Sequence, residues 1–329
     1  MIQDKNIPVL HSLRALAALS VCMFHYVCTV TGFISNTTII SFFSYGHFGV
    51  QMFFVISGFI IPWSMFHGKY EIKNFFTFTA KRLIRLEPPY LVSLLFAIAH
   101  TYIRTLSPHY NGIDITPSAK QIALHFGYLI PFVEGEKWIR PVYWTLAIEF
   151  QYYLTIGLLF AFITSKKMWL RIIIYAAFLS GPIWMKVNFL PYHLPIFLLG
   201  IILCLYKTKI AGRLEMYIIG ITSLTIIAIF NDVPTMFFSG FAFFAILYFS
   251  NFKSAIGYFL GNISYSLYLF HSLTGMILLN YCAHSVTTPL VKLLLIVSAL
   301  LISIGASYIV YRFIEKPSKE LSSRIKYKK

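Results

Sequence analysis

With 329 residues, 58% of them hydrophobic and only 12% charged, and a mean hydropathy of +0.74, the chain is too apolar to hide behind a water-soluble surface. That excludes an ordinary soluble enzyme, and it excludes a nucleic-acid partner despite the formal net charge of +16, because in so apolar a chain the placement of the charge matters more than its size. Cys22, Cys28, Cys204 and Cys282 all fall in apolar segments without CxxC spacing and read as small core residues rather than disulfides or metal ligands.

Apolar runs long enough to span roughly 30 Å of hydrocarbon fall at 7–30, 47–66, 86–106, 142–164, 168–186, 190–206, 214–230, 235–250, 262–283 and 289–312. They predict an all-α, polytopic membrane bundle of about ten spans forming one membrane domain over 1–329, with no appended soluble domain. Turn chemistry separates the spans at Gly32 to Asn36, at Ser107-Pro108 through Asn111-Gly112, at Ser165 to Lys167, at Asn231 to Pro234 and at Thr287 to Pro289. If the N-terminus is cytoplasmic, 20 of the 27 basic residues, from Lys5 to Lys329, fall on the inner side, so both termini are expected there. The first run continues to Val30 without a small-residue cleavage site and reads as an uncleaved span. In the long outer interval, Ile122 to Val133 suggests a re-entrant or interfacial helix. No internal repeat is visible, which argues against a transporter built from two related halves.

The first span carries Arg14 and His25. Eleven helical steps end about 20° past three full turns with a rise of about 16 Å, so the two share one stripe at different depths. Ionisable groups inside a membrane helix face the bundle interior or a water-filled cavity and mark a functional path. In the second span, Gly49, Ser57 and Gly58 permit close helix approach, and Ser57 is a further candidate for chemistry, although no nucleophile elbow surrounds it. Before the third span, Arg82 and Arg85 stand three apart, forming on a helix one forked face for phosphate or, alternatively, a membrane-surface anchor.

Glu149, in the fourth span, is the one acid well inside a predicted span. It lies about 10 Å from the outer face and His25 about 7 Å from it. A carboxylate bonded to the imidazole would fix its tautomer and raise its basicity; otherwise Glu149 satisfies Arg14 or a backbone gap. In the ninth span His271 either joins two helices or touches substrate. His11, His47, His67, His109, His193 and His284 fall near interfaces or loops. No HExxH, paired cysteine or carboxylate cluster indicates a metal.

Taken in order, Arg14 and His25 behind Leu10-His-Ser-Leu-Arg, the Gly49 to Phe59 run, Arg82-x-x-Arg85, Tyr143-Trp144-Thr-Leu-Ala-Ile-Glu149, Ser264 to His271 with Tyr268, and Phe313-Ile-Glu-Lys-Pro317 resemble the acyltransferase-3 family of integral membrane proteins. The resemblance implies transfer of an acyl group, commonly acetyl, from cytoplasmic acyl-CoA to a hydroxyl of an extracytoplasmic carbohydrate such as O-antigen or exopolysaccharide, at a bacterial inner membrane. It makes His25 the essential histidine and Arg14 its partner, and it puts Arg82 and Arg85 on the CoA phosphates. The expected site is thus His25, Glu149 and Arg14 for chemistry and Arg82, Arg85 and Arg14 for the donor, with Ser57, Trp144, Tyr143, His271 and Tyr268 as further candidates. Where the family has Trp-Ser-Leu, this chain has Trp144-Thr145-Leu146, which keeps the hydroxyl. A proton-coupled carrier of polysaccharide or lipid-linked sugar would also explain the buried charges, but it leaves Arg82-x-x-Arg85 without a purpose.

Overall fold

A computed structural model describes residues 7–106, 116–283 and 285–327. The turn at Ser107 to Gly112, His109, His284, Lys5 and Lys329 lie outside them. Among the described residues the protein is all-helical, without a strand, and it is an integral membrane protein of the polytopic kind. Each of the ten apolar runs is helical: α1 Val9–Cys28, α3 Gly49–His67, α4 Phe75–Thr105, α6 Trp144–Ile163, α7 Met168–Trp184, α8 Leu190–Lys207, α9 Arg213–Phe230, α10 Val233–Tyr248, the pair α11 Ala255–Phe270 and α12 Gly275–Cys282, and α13 Pro289–Val310. Three short helices add to these: α2 Thr37–Ser44, α5 Ala119–Phe126 within the outer interval, and α14 Lys316–Arg324.

By length and composition, seven helices among the described residues are able to cross a membrane. The other three predicted runs form shorter helices: α7 and α10 have 17 and 16 residues, and the ninth run is broken between α11 and α12.

The bundle is assembled around α8, whose residues from Leu194 to Leu205 are all buried. It can sit against α3 because two glycines let the backbones touch. A Cβ on Gly58 would stand 2.2 Å from the Phe197 carbonyl oxygen, and one on Gly200 would stand 2.1 Å from that of Val55. The contact of α1 with α11 uses the same device, Gly261 lying under the His11 carbonyl. These close crossings hold the Arg14 and His25 stripe of α1 against α3 and α11.

Three departures from the predicted layout shape the functional region. Helix α4 begins at Phe75, not near residue 86, and runs through Pro88 and Pro89, so Arg82 and Arg85 lie on a helix rather than in a turn. Pro88 and Pro89 free the carbonyls of Ile84 and Arg85, and next to them the Tyr265 hydroxyl donates to the Leu86 carbonyl (2.9 Å) and ties α11 to this stretch. The ninth run breaks at His271–Leu273, where Ser303 supplies the missing partners through the Gly275 amide (3.0 Å), Thr274 (2.7 Å) and Tyr26 (2.6 Å). Finally, α13 continues through a π-helical turn, Tyr311–Glu315, directly into α14.

Candidate functional site

A cavity of about 90 Å³ opens among α1, α3, α4, α6, α11 and the π-helical turn. Cations line its narrow end: Arg14, Arg82, Arg85 and Lys319. The same four residues also line a larger basic vestibule of about 940 Å³, so the two spaces meet at this neck. One face of each helix supplies the charge. Arg82 and Arg85, one turn apart on α4, both reach the neck, as their spacing requires.

The neck cations are held differently. Arg14 is half-buried and donates through Nε to the Ser264 hydroxyl (3.1 Å), which in turn donates to the Gly261 carbonyl (2.8 Å). Arg82 donates to the Ser64 hydroxyl (2.6 Å), and its guanidinium lies 5.2 and 5.7 Å from the ring centres of Phe78 and Tyr153. Among the described residues Arg85 Nε is buried with no hydrogen-bond partner. A buried charged donor without an acceptor is rare and points to a ligand that supplies one. Lys319 is paired with the buried Glu315 (2.6 Å), whose second oxygen accepts from the Ser266 hydroxyl (2.6 Å).

Glu149 lines this same cavity. Its Oε1 accepts from Tyr153 (2.5 Å), one turn further along α6, and from Ser57 across on α3 (3.0 Å). The expected bond between Glu149 and His25 is therefore not made: residue counting fixes depth along a span but not azimuth, and α6 turns the carboxylate toward α3 and α4.

His25 pairs instead with His271. The Nδ1 of His25 lies 3.2 Å from Nε2 of His271 and 2.9 Å from the Val21 carbonyl, and the two rings sit 4.8 Å apart. The tautomers follow by elimination. The Nδ1 of His271 lies 3.1 Å from the Leu267 carbonyl, which only accepts, so it carries the proton and its Nε2 is an acceptor. His25 Nδ1 likewise carries its proton, which the Val21 carbonyl and His271 Nε2 share as acceptors. The Nε2 of His25 is left with an unshared pair and no hydrogen-bond partner among the described residues, the form a base or nucleophile needs. The break after α11 makes this possible, since it places His271 at the helix end, where Tyr26 bonds both the His271 carbonyl (3.3 Å) and Ser303.

Tyr268 bridges the two clusters. It lines the cavity, packs edge-on to Phe53 (5.9 Å), and its ring centre lies 6.3 Å from that of His271. Thr145 hydrogen-bonds the Tyr268 hydroxyl (2.9 Å), so the hydroxyl that Thr145 retains fixes the wall between cavity and histidines. Tyr143 and Trp144 are not brought to the cavity. Tyr143 is buried against Tyr90 and bonded to Ser93 (3.1 Å), while Trp144 packs on Phe54 and His193.

Sequence reasoning missed Glu315, Lys319, Tyr153 and Tyr265. Tyr153 was findable as the i+4 neighbour of Glu149. Tyr265 and Glu315 lie inside the Ser264 to His271 and Phe313 to Pro317 stretches but carried no assigned role, and Lys319 lies beyond both, because the predicted span ends at 312 and the π-helical turn has no marker in the hydropathy. Among the described residues no group of three or more His, Cys, Asp or Glu gathers in a way that could hold a metal.

Residues 7–312 match the family model of an acyltransferase domain, the acyltransferase-3 type. The chain belongs to the acyltransferase-3 family. No curated protein and no solved structure matches it. This membrane acyltransferase therefore combines a family assignment covering nearly its whole length with a cationic neck and a neutral histidine pair.

Proposed function

We propose that this protein takes an acyl group, in the first instance acetyl, from acyl-CoA at a cytoplasmic basic face and transfers it to a hydroxyl of an extracytoplasmic carbohydrate such as an O-antigen or exopolysaccharide unit. The supporting observation is the neck: Arg14, Arg82, Arg85 and Lys319 join a wide basic vestibule to an inner cavity, and the Arg85 donor there is buried without a partner among the described residues. A polyanionic nucleotide with a long uncharged arm suits that shape. The phosphates stay at the cations, where charge-assisted bonds are strongest, and the pantetheine arm enters the cavity between Ser57, Tyr153 and Tyr268.

In this reading His25, which lies outside the cavity lining on the far side of Tyr268, is the base, and the acyl group reaches it past Tyr268. As the acceptor oxygen attacks the thioester carbonyl, Nε2 takes the hydroxyl proton; the carbon–sulfur bond then breaks, and the departing thiolate receives that proton from the imidazolium. His271 acts as a positioning residue, accepting from His25 Nδ1 and stabilising its charged form as the proton arrives. The family, both clusters and the Lys/Arg bias of the sequence support this assignment. Acceptors would approach from the side opposite the vestibule, so CoA itself need not cross the membrane.

Purified protein supplied with labelled acetyl-CoA and a panel of glycan acceptors tests the reading. Label on the glycan together with stoichiometric free CoA is expected. Sugar movement across a proteoliposome membrane with no CoA released would favour a carrier instead.

A further inference from the structure

The end of the chain builds one wall of the vestibule. Residues 313–327 follow the 7–312 stretch that matches the family, yet Lys319, Ser322, Lys326 and Tyr327 line the vestibule. They are fastened to the helix that carries the two arginines. Ser322 donates to the Lys81 carbonyl (2.8 Å); Lys81 donates to the Ile325 carbonyl and lies 5.4 Å from the centre of the Tyr327 ring. Tyr327 also meets Tyr70 edge-on at 5.6 Å.

The cations around this space fall into two tiers. Arg14, Arg82, Arg85 and Lys319 line both cavity and vestibule, whereas Lys69, Lys81 and Lys326 line the vestibule alone. Lys81 is engaged by the tail. Lys69 and Lys326 are exposed, with no ion pair among the described residues. One contact ties the loop to the tail. Gly68 lies against the Tyr327 side chain, where a Cβ would stand 3.0 Å from the ring, and Lys69 and Lys326, the sequence neighbours of these two residues, both line the vestibule. Lys69 itself turns the chain there with a left-handed φ of 52°.

We infer that Lys69 and Lys326 form an outer anion subsite that takes the ribose 3′-phosphate of a coenzyme A donor, while the neck cations take its diphosphate. The inference rests on the proposed donor. Coenzyme A carries phosphate at two separate places on one nucleotide, and the two tiers of cations match that division. The pantetheine arm leaves from the diphosphate, which must therefore be the inner group. The tail is then part of the donor site, and it selects the 3′-phosphorylated nucleotide over its dephosphorylated form.

Titrating the detergent-solubilised protein with CoA and with 3′-dephospho-CoA tests this without any acceptor. The unsubstituted protein should bind CoA on the order of tenfold more tightly, the worth of one charge-assisted contact. Lys69→Ala with Lys326→Ala should lower CoA affinity to that of the dephospho form and leave the latter's affinity unchanged; a stop codon at Ile325 should do the same or more. If the unsubstituted protein binds both nucleotides equally, or the double variant keeps the preference, the subsite is wrong while the donor reading stands. If it binds neither nucleotide, the donor reading itself falls.

Discussion

The neck and the histidine pair treat buried polarity in opposite ways. At the neck, four cations gather with two carboxylates close by, and Arg85 retains a buried donor that nothing in the described protein satisfies. At the pair, two neutral imidazoles share a chain of hydrogen bonds that runs from one to the other and onto helix carbonyls, and the residues around them form a compact apolar cluster that includes Cys22, Val27 and Leu267. Charge is costly in such surroundings unless it is paired or exposed to a polar space. A region that keeps charge unpaired is suited to holding an anion. A region that keeps an imidazole neutral is suited to accepting a proton. In the proposed function, holding and chemistry are separated along one helix stripe, with Arg14 at one end and His25 at the other.

The sharpest way to break that division is to remove each end in turn. His25→Ala should lower turnover by roughly 10³-fold, within the range for loss of a general base, and leave CoA binding unchanged in calorimetry. Arg82→Ala with Arg85→Ala should do the reverse: CoA affinity drops by about 10²-fold, two charge-assisted contacts at roughly 1.5 kcal/mol each, while turnover at saturating donor falls far less. Holding and chemistry would not be separate if His25→Ala abolished binding, or if the double arginine variant bound CoA normally and failed only in turnover.

Much of this arrangement is legible in the order of the amino acids alone. Composition and run length specify the helices, and the spacing of Arg82 and Arg85 places both on one face, which the early start of α4 makes real. Depth along a span comes from counting residues. Rotation about each helix axis does not, because apolar membrane helices carry little polar contrast to mark a face. That is why Glu149 matches His25 in depth and yet bonds Ser57 and Tyr153 instead. The break that frees His271 and the π-helical turn that buries Glu315 are hidden for a related reason: both depend on partners distant in sequence, Ser303 for the first and Ser266 for the second.

The role of His271 is a finer test of the same comparison. His271→Leu removes one of the two acceptors for the His25 Nδ1 proton, leaving the Val21 carbonyl, and should slow turnover by up to about tenfold, the value of one hydrogen bond that strengthens as charge develops. His271→Gln can accept through its amide oxygen and should recover much of the loss. The pH–rate profile separates positioning from mere packing: weakening the acceptor makes His25 a weaker base and moves the acidic limb to lower pH, whereas a packing defect lowers the whole curve without moving it.

The smallest effect is expected at Glu149, and it decides which of the two regions that residue serves. Glu149→Gln keeps an oxygen to accept from Tyr153 and Ser57, so the cavity wall survives and only the negative charge near Arg14, Arg82 and Arg85 is lost. Removing an anion from beside the neck leaves its cations less neutralised. CoA should then bind as well as before or a few-fold more tightly, with turnover reduced less than tenfold. Measured side by side, donor affinity and the depth of the turnover loss separate the two possible roles. A carboxylate that served His25 as its orienting acceptor would, when neutralised, cut turnover nearly as deeply as His25→Ala and leave CoA affinity alone. The geometry, with Oε1 occupied by the Tyr153 and Ser57 hydroxyls and His25 already bonded to His271, requires the first pattern.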